Sequence, residues 1–211
     1  MITLGIIGVV AALTMPTLIA NIQQEIFNSR WKKAYSEINQ AYLLVQGQED
    51  ISDYWTCKEV YCFDKVAMNI FSQYIKINDI QQIYNSKDDE GNLVYHNEKI
   101  KYKNVFGNDV SIMLHKGIVV NDMTLYYWSY YGGSCSIWVD VNGYKKGPNV
   151  LGRDLFALEI RGDKIYPFGQ FATGDWCKGA SGNLGAGYIQ ALPASSYAGL
   201  GCSYDYLYGK K

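Results

Sequence analysis

The first 24 residues, Met1 to Gln24, carry no charged side chain, and a soluble domain has no use for such a lead. About 20 consecutive apolar residues suffice to cross a bilayer core as a helix. The segment therefore begins either in a membrane or in an assembly that replaces one. A cleaved secretory signal needs a basic n-region and small residues before the cut. No Lys or Arg precedes this run, and Leu18-Ile19-Ala20 is a poor small-x-small site, so simple cleavage near Ala20 is disfavoured.

The run passes into an amphipathic continuation without a helix-breaking cluster. Phe27, Trp31, Ala34, Tyr35, Ile38, Ala41, Tyr42 and Val45 recur at spacings of three and four, which draws one stripe along a helix. Arg30, Lys32, Lys33, Glu37 and Gln40 fall on the other faces, and Gly47 is a natural stop just past the stripe. The spacing predicts one helix over residues 1 to 46, about 69 Å long at 1.5 Å per residue. Pro16 is expected to kink it by removing a hydrogen bond and crowding the preceding turn. The chain thus divides into an apolar half, 1–24, an amphipathic half, 25–47, and a remainder, 48–211, long enough for one respectable core.

Gly8-Val-Val-Ala-Ala-Leu-Thr-Met-Pro16, preceded by Ile-Thr-Leu-Gly-Ile-Ile and followed by Pro-x-Leu-Ile-Ala-Asn, resembles the N-terminal helix of type IV pilins and type II secretion pseudopilins. It is similar to a bacterial subgroup of prepilin-type cleavage/methylation proteins, over about the first 45 residues. The resemblance implies a structural subunit of a pilus or pseudopilus, single-pass in the inner membrane with its remainder extracytoplasmic, then assembled by helix-to-helix packing. Gly8, Pro16, Phe27, Trp31 and Tyr35 are the assembly-helix residues it implies. Other pilin or pseudopilin subunits, membrane lipid before assembly and, if the leader lies upstream, a prepilin peptidase and an assembly platform are the partners it implies. That family has a basic leader and a Phe-Thr-Leu-x-Glu sequence, which here would fall upstream of Met1, so Met1 is expected to be a misassigned or internal start.

The rest of the composition fits this reading and closes others. The 211 residues are 48% hydrophobic and carry 19 basic against 20 acidic side chains, which leaves no electrostatic footprint for nucleic acid. Five cysteines among 19 tyrosines and 21 glycines suggest a loop-rich domain that leans on disulfides outside the cytoplasm. Cys57 and Cys62 are close enough for a small clasp, and Cys177 and Cys202 bracket a Gly/Ser/Tyr-rich segment. Cys135 can displace either partner, and a buried reduced thiol is the alternative for each. A bridge between Cys177 and Cys202 also resembles the C-terminal disulfide-bounded region of many pilins.

Beyond Gly47 one further helix is expected over Asp64 to Ile75. Strands follow at Leu93–Tyr95, Lys99–Tyr102, Val110–Leu114, Ile118–Val120, Leu125–Trp128, Ile137–Val141, Leu155–Ile160 and Ile165–Tyr166. A long helix followed by an antiparallel sheet is an α+β fold. The sheet can bury a face against the amphipathic half of the helix, or share that stripe with neighbouring subunits.

Asp140-Val-Asn142-Gly143 through Asp154 is the most motif-like stretch beyond the helix. Asp140, Asn142 and Asp154 can gather oxygens around calcium, a hard cation. The twelfth residue from Asp140 is Leu151 rather than Glu, and Lys145 and Lys146 add opposing charge. A tight loop held by side-chain-to-backbone bonds explains the same residues. No nucleophile elbow, phosphate loop or zinc-ligand spacing is present. His96, His115 and the Asp88-Asp89-Glu90 run read as surface positions, so an enzyme is not expected and no cofactor is assigned. The Tyr126-Tyr127-Trp128-Ser-Tyr130-Tyr131 run supports an alternative, an anchored extracytoplasmic module that binds glycan or another ligand and does not polymerise.

Overall fold

The structure is a computed structural model that describes residues 2–48, 72–82, 101–110, 116–120, 123–129, 135–143, 145–161, 164–172, 175–177 and 197–209. Helix α1 runs Ile2–Gln48 without interruption across Pro16, about 70 Å by the helical rise. It ends one residue beyond the expected Gly47 stop, within the usual fraying of a helix end. Residues Ser72–Tyr74 form a short turn of helix, α2, the described end of the helix expected over Asp64 to Ile75.

Among the described residues eight strands follow: β1 Asp79–Gln82, β2 Tyr102–Lys103, β3 Asp109–Val110, β4 Lys116–Val120, β5 Met123–Ser129, β6 Cys135–Asp140, β7 Leu155–Arg161 and β8 Lys164–Pro167. Six pair antiparallel in the order β1-β4-β5-β6-β7-β8, and β2 and β3 form a separate pair, with a parallel bridge from Lys103 of β2 to Val150. The chain is therefore α+β, as expected. The expected strand at Leu93–Tyr95, His96, His115, the Asp88–Glu90 run, Tyr130, Tyr131, Cys57 and Cys62 lie outside the described residues. A closing helix, α3 (Cys202–Tyr208), was not foreseen.

Strand alternation sorts the central side chains onto two faces. Ile137, Val139, Phe156, Leu158 and Ile160 form one face, and they join Phe27, Trp31, Ala34, Ile38, Ala41, Tyr42 and Val45 of α1 in a single buried cluster. The helical stripe thus covers the chain's own sheet. Each large side chain removed from water in this way contributes about 1.5–3 kcal/mol.

The opposite face is also covered at its centre. Trp138, Asp140, Leu155 and Ala157 are buried, and Trp138 lies tilted against Phe168 at 6.3 Å. Segments 149–152, 168–169 and 197–201 supply this second layer. Lys103 N–H donates to Asn149 O and Leu151 N–H to Lys103 O, each at 2.8 Å.

The second layer needs close backbone approach at Gly152, whose φ is +71°. A Cβ there would run into the carbonyl oxygen of Gly199 and the side chain of Cys202. Gly152→Ala combines a left-handed backbone with a clash against main chain. A stability loss of about 2 kcal/mol is expected, read by urea denaturation, whereas a loss within about 0.5 kcal/mol, the range of an ordinary surface substitution, would show that the packing relaxes.

Candidate functional site

Helix α1 is divided in burial as well as in sequence. Ile7, Val9, Val10, Leu13, Met15, Leu18, Ile19 and Ile22 are exposed, Leu13 the most so at 72%. Thr14, one of two threonines within this stretch, donates back to Val10 O at 2.9 Å, so its hydroxyl needs no water. Among the described residues this helix is long and apolar enough to cross a membrane. Gly8 has open space around it, and Pro16 lies within the exposed stretch.

From Phe27 onward the helix belongs to its own sheet. Trp31 is fully buried, stacked on Phe156 with ring centroids 4.8 Å apart. Its indole N–H donates to Ser203 O at 2.9 Å. Ser203 in turn accepts, through its hydroxyl, the N–H of Ala157 at 3.0 Å. This bond lies where β8 has ended at Pro167, so the first turn of α3 completes the edge of β7. Tyr204 N–H to Phe168 O, 3.1 Å, extends the same join.

The Cys177–Cys202 disulfide pins α3 from the other side. Gly209 closes the helix with a positive φ, donating its N–H to Asp205 O, the usual glycine stop. Tyr35 is half-buried beside this helix, its hydroxyl 3.0 Å from that of Tyr208. Burial, then the Tyr208 hydroxyl, pushes the Tyr35 phenol well above its ordinary value. It stays protonated, so the pair is a neutral hydrogen bond. Phe27, Trp31 and Tyr35, taken as assembly residues, are therefore held by their own domain.

Of the candidate disulfides, Cys177–Cys202 is formed. Cys135 opens β6.

The structure brings Asp140, Asn142 and Asp154 together at the connection between β6 and β7. Asp140 Oδ1 accepts the N–H groups of Asn142 at 3.1 Å and Gly143 at 2.7 Å. Its Oδ2 accepts the Tyr102 hydroxyl at 2.7 Å. Asp154 accepts N–H from Asn149 at 2.8 Å and Val150 at 2.7 Å, one on each oxygen. The Asn142 amide donates to Gly147 O.

Each carboxylate thus ties a turn to itself, the side-chain-to-backbone arrangement that competes with calcium binding for the same residues. Calcium requires six to eight oxygen ligands. Here Asn142 Oδ1 and Asn149 Oδ1 are the buried side-chain oxygens without a hydrogen-bond partner, too few for such a shell, while the carboxylates face N–H and O–H donors that a cation would repel. The donor set does not fit calcium. Among the described residues no group of three His, Cys, Asp or Glu side chains converges for any metal. A chelator is expected to leave the melting midpoint of the purified chain within about 1 °C, and a calcium-dependent rise of several degrees would contradict this.

Burial pushes the Asp140 carboxyl up to about 7; the Tyr102 hydroxyl pulls against it, and Asp154 nearby adds to the rise. Asp154 is raised as well, again mainly by burial. An ordinary aspartate titrates near 3.8, so between that pH and about 7 the folded chain holds a proton that the unfolded chain has released. Stability contributed by this group is full below about pH 4 and is lost as pH rises to about 7. The loss is expected to be about 1 kcal/mol or more, a few degrees in Tm, and at most the roughly 4 kcal/mol that the whole rise represents. Asp140→Asn keeps the acceptor for Asn142 and Gly143 and should flatten that slope. An unchanged slope in D140N would assign it elsewhere.

Tyr102, Ser203 and Asn104 escaped the sequence reading. Asn104 is buried, and its side chain accepts N–H from Phe106 at 2.9 Å and Asn108 at 3.0 Å, holding the β2–β3 turn. Only its Asn-x-x-Gly-Asn setting hinted at a turn. No protein-family model, curated protein or solved structure matches the chain.

Proposed function

We propose that the chain is a structural, non-catalytic subunit of a type IV pilus or type II secretion pseudopilus. It is held in the inner membrane by α1 before assembly, with the sheet domain extracytoplasmic, and packed helix to helix with other such subunits afterwards. One observation carries the reading. The helix is cut sharply between a half that its own sheet buries and a half, Ile7 to Ile22, whose apolar side chains face outward.

An apolar surface of that length requires lipid or another apolar helix against it. Because Phe27, Trp31 and Ile38 are already covered by the chain's own sheet, the contacts between subunits fall to the Gly8–Pro16 stretch, Leu18, Ile19 and Ile22. Ile26, Leu43 and Leu44, also exposed, extend that surface along the amphipathic half. Open space at Gly8 suits close approach of a second backbone.

The test is fractionation. With assembly blocked, the chain should stay in membranes through alkaline extraction. With assembly active, it should appear in filaments sheared from the cell envelope. A chain that remains a membrane monomer under both conditions would instead support an anchored binding module.

A further inference from the structure

Strand β6 ends at Asp140 and β7 begins at Leu155, so the connection between them leaves one end of the sheet. That end faces the apolar half of α1. Arg30 donates to Val141 O at 3.2 Å, and Gln24 to Arg153 O at 3.4 Å. The connection therefore lies against the helix between residues 24 and 30, about 9 Å of axis, immediately past the charge-free run. In a bilayer with a hydrocarbon core of about 30 Å, the headgroup layer on each side is about 5–8 Å deep. With residues 1–24 across the bilayer, the two ends of the connection, Val141 and Arg153, fall at the level of that layer.

Its exposed side chains include Lys145 and Lys146, with Pro148 beside them. The loop's two acidic groups, Asp140 and Asp154, are fully buried and turned inward onto N–H and O–H donors. Arg153 is only partly exposed, which leaves Lys145 and Lys146 as the exposed basic side chains of the connection. Those carboxylate clamps also fix the loop's shape, which keeps the cost of ordering it on a surface low.

We propose that the β6–β7 connection is a headgroup-binding face, on which Lys145 and Lys146 engage the phosphates of anionic phospholipid in the bilayer that α1 crosses. The proposal rests on reading residues 1–24 as a membrane span. It holds the sheet domain down on the membrane before assembly, and extraction into a filament breaks the contact.

The full chain, reconstituted in nanodiscs of phosphatidylcholine alone or mixed with phosphatidylglycerol, gives the test by hydrogen exchange. A basic residue near an anionic surface contributes about 1 kcal/mol, roughly fivefold. Amides of Lys145, Lys146 and Gly147 are expected to exchange about fivefold or more slowly in the anionic discs. High salt should abolish the difference by screening, and so should K145E/K146E. Equal exchange in both discs overturns the proposal and leaves the span intact. Failure of the chain to enter either disc overturns the span as well. Equal slowing by inorganic phosphate in phosphatidylcholine discs would show that the lysines take free anion, and overturns the choice of lipid.

Discussion

Trp31→Ala is expected to cost the folded chain about 3–5 kcal/mol, the range for removing a fully buried large aromatic. Three losses coincide. The ring leaves a cavity between α1 and β7, its stack on Phe156 disappears, and Ser203 O loses the indole donor inside the core. Loss of that buried hydrogen bond adds about 0.5–1.5 kcal/mol. Trp31→Phe separates these losses in part, since it keeps an aromatic ring on Phe156 while removing the N–H and the smaller ring that carries it. Denaturant unfolding should place W31F between the wild type and W31A. If W31A costs less than about 1 kcal/mol, the helix is not seated on the sheet as described.

The second large effect is loss of the Cys177–Cys202 disulfide. Its partners are separated by 25 residues, and the chain-entropy model gives about 3 kcal/mol for a loop of that size. The bridge also anchors the first turn of α3, where Ser203 takes bonds from both Trp31 and Ala157. Cys177→Ser/Cys202→Ser should therefore weaken the docking of α1, although neither cysteine belongs to the buried cluster that holds Phe27 and Ile38. Combined with W31A, the disulfide variant should cost less than the sum of the two, because both act through Ser203. Strict additivity would contradict that route, and an unchanged midpoint under reductant would contradict the bridge's role.

Helix α1 was readable because its information is local. Every stripe position from Phe27 to Val45 follows from a period of 3.6 within one uninterrupted element, and all are buried except Tyr35, which is half-buried. Strands β6 and β7 were readable for a similar reason, through alternation of Ile137, Val139 and Phe156, Leu158, Ile160 with other side chains.

Helix α3 was not, since Cys202-Ser-Tyr-Asp-Tyr-Leu-Tyr208 carries β-prone aromatics at every second position. Its helicity is imposed by distant partners, namely the disulfide to Cys177 and the bond from Tyr204 to Phe168. Strand β1, Asp79–Gln82, has no alternation of its own and exists by pairing with β4. The carboxylate loop lay between. Asp140, Asn142 and Gly143 announced a tight turn, but the Tyr102 hydroxyl that completes it comes from 38 residues away, and no spacing rule reaches that far.

The central claim is that the outward half of α1 packs against the same surface of other subunits. Cysteine substituted at Leu18, 60% exposed in the single chain, tests it directly under mild oxidation of membranes and sheared filaments. A ladder of multiply crosslinked copies in the filament fraction, abolished when the cysteine is moved to buried Ile38, is the predicted result. A chain that accumulates in membranes, tolerates the substitution and yields no crosslinked species would contradict it.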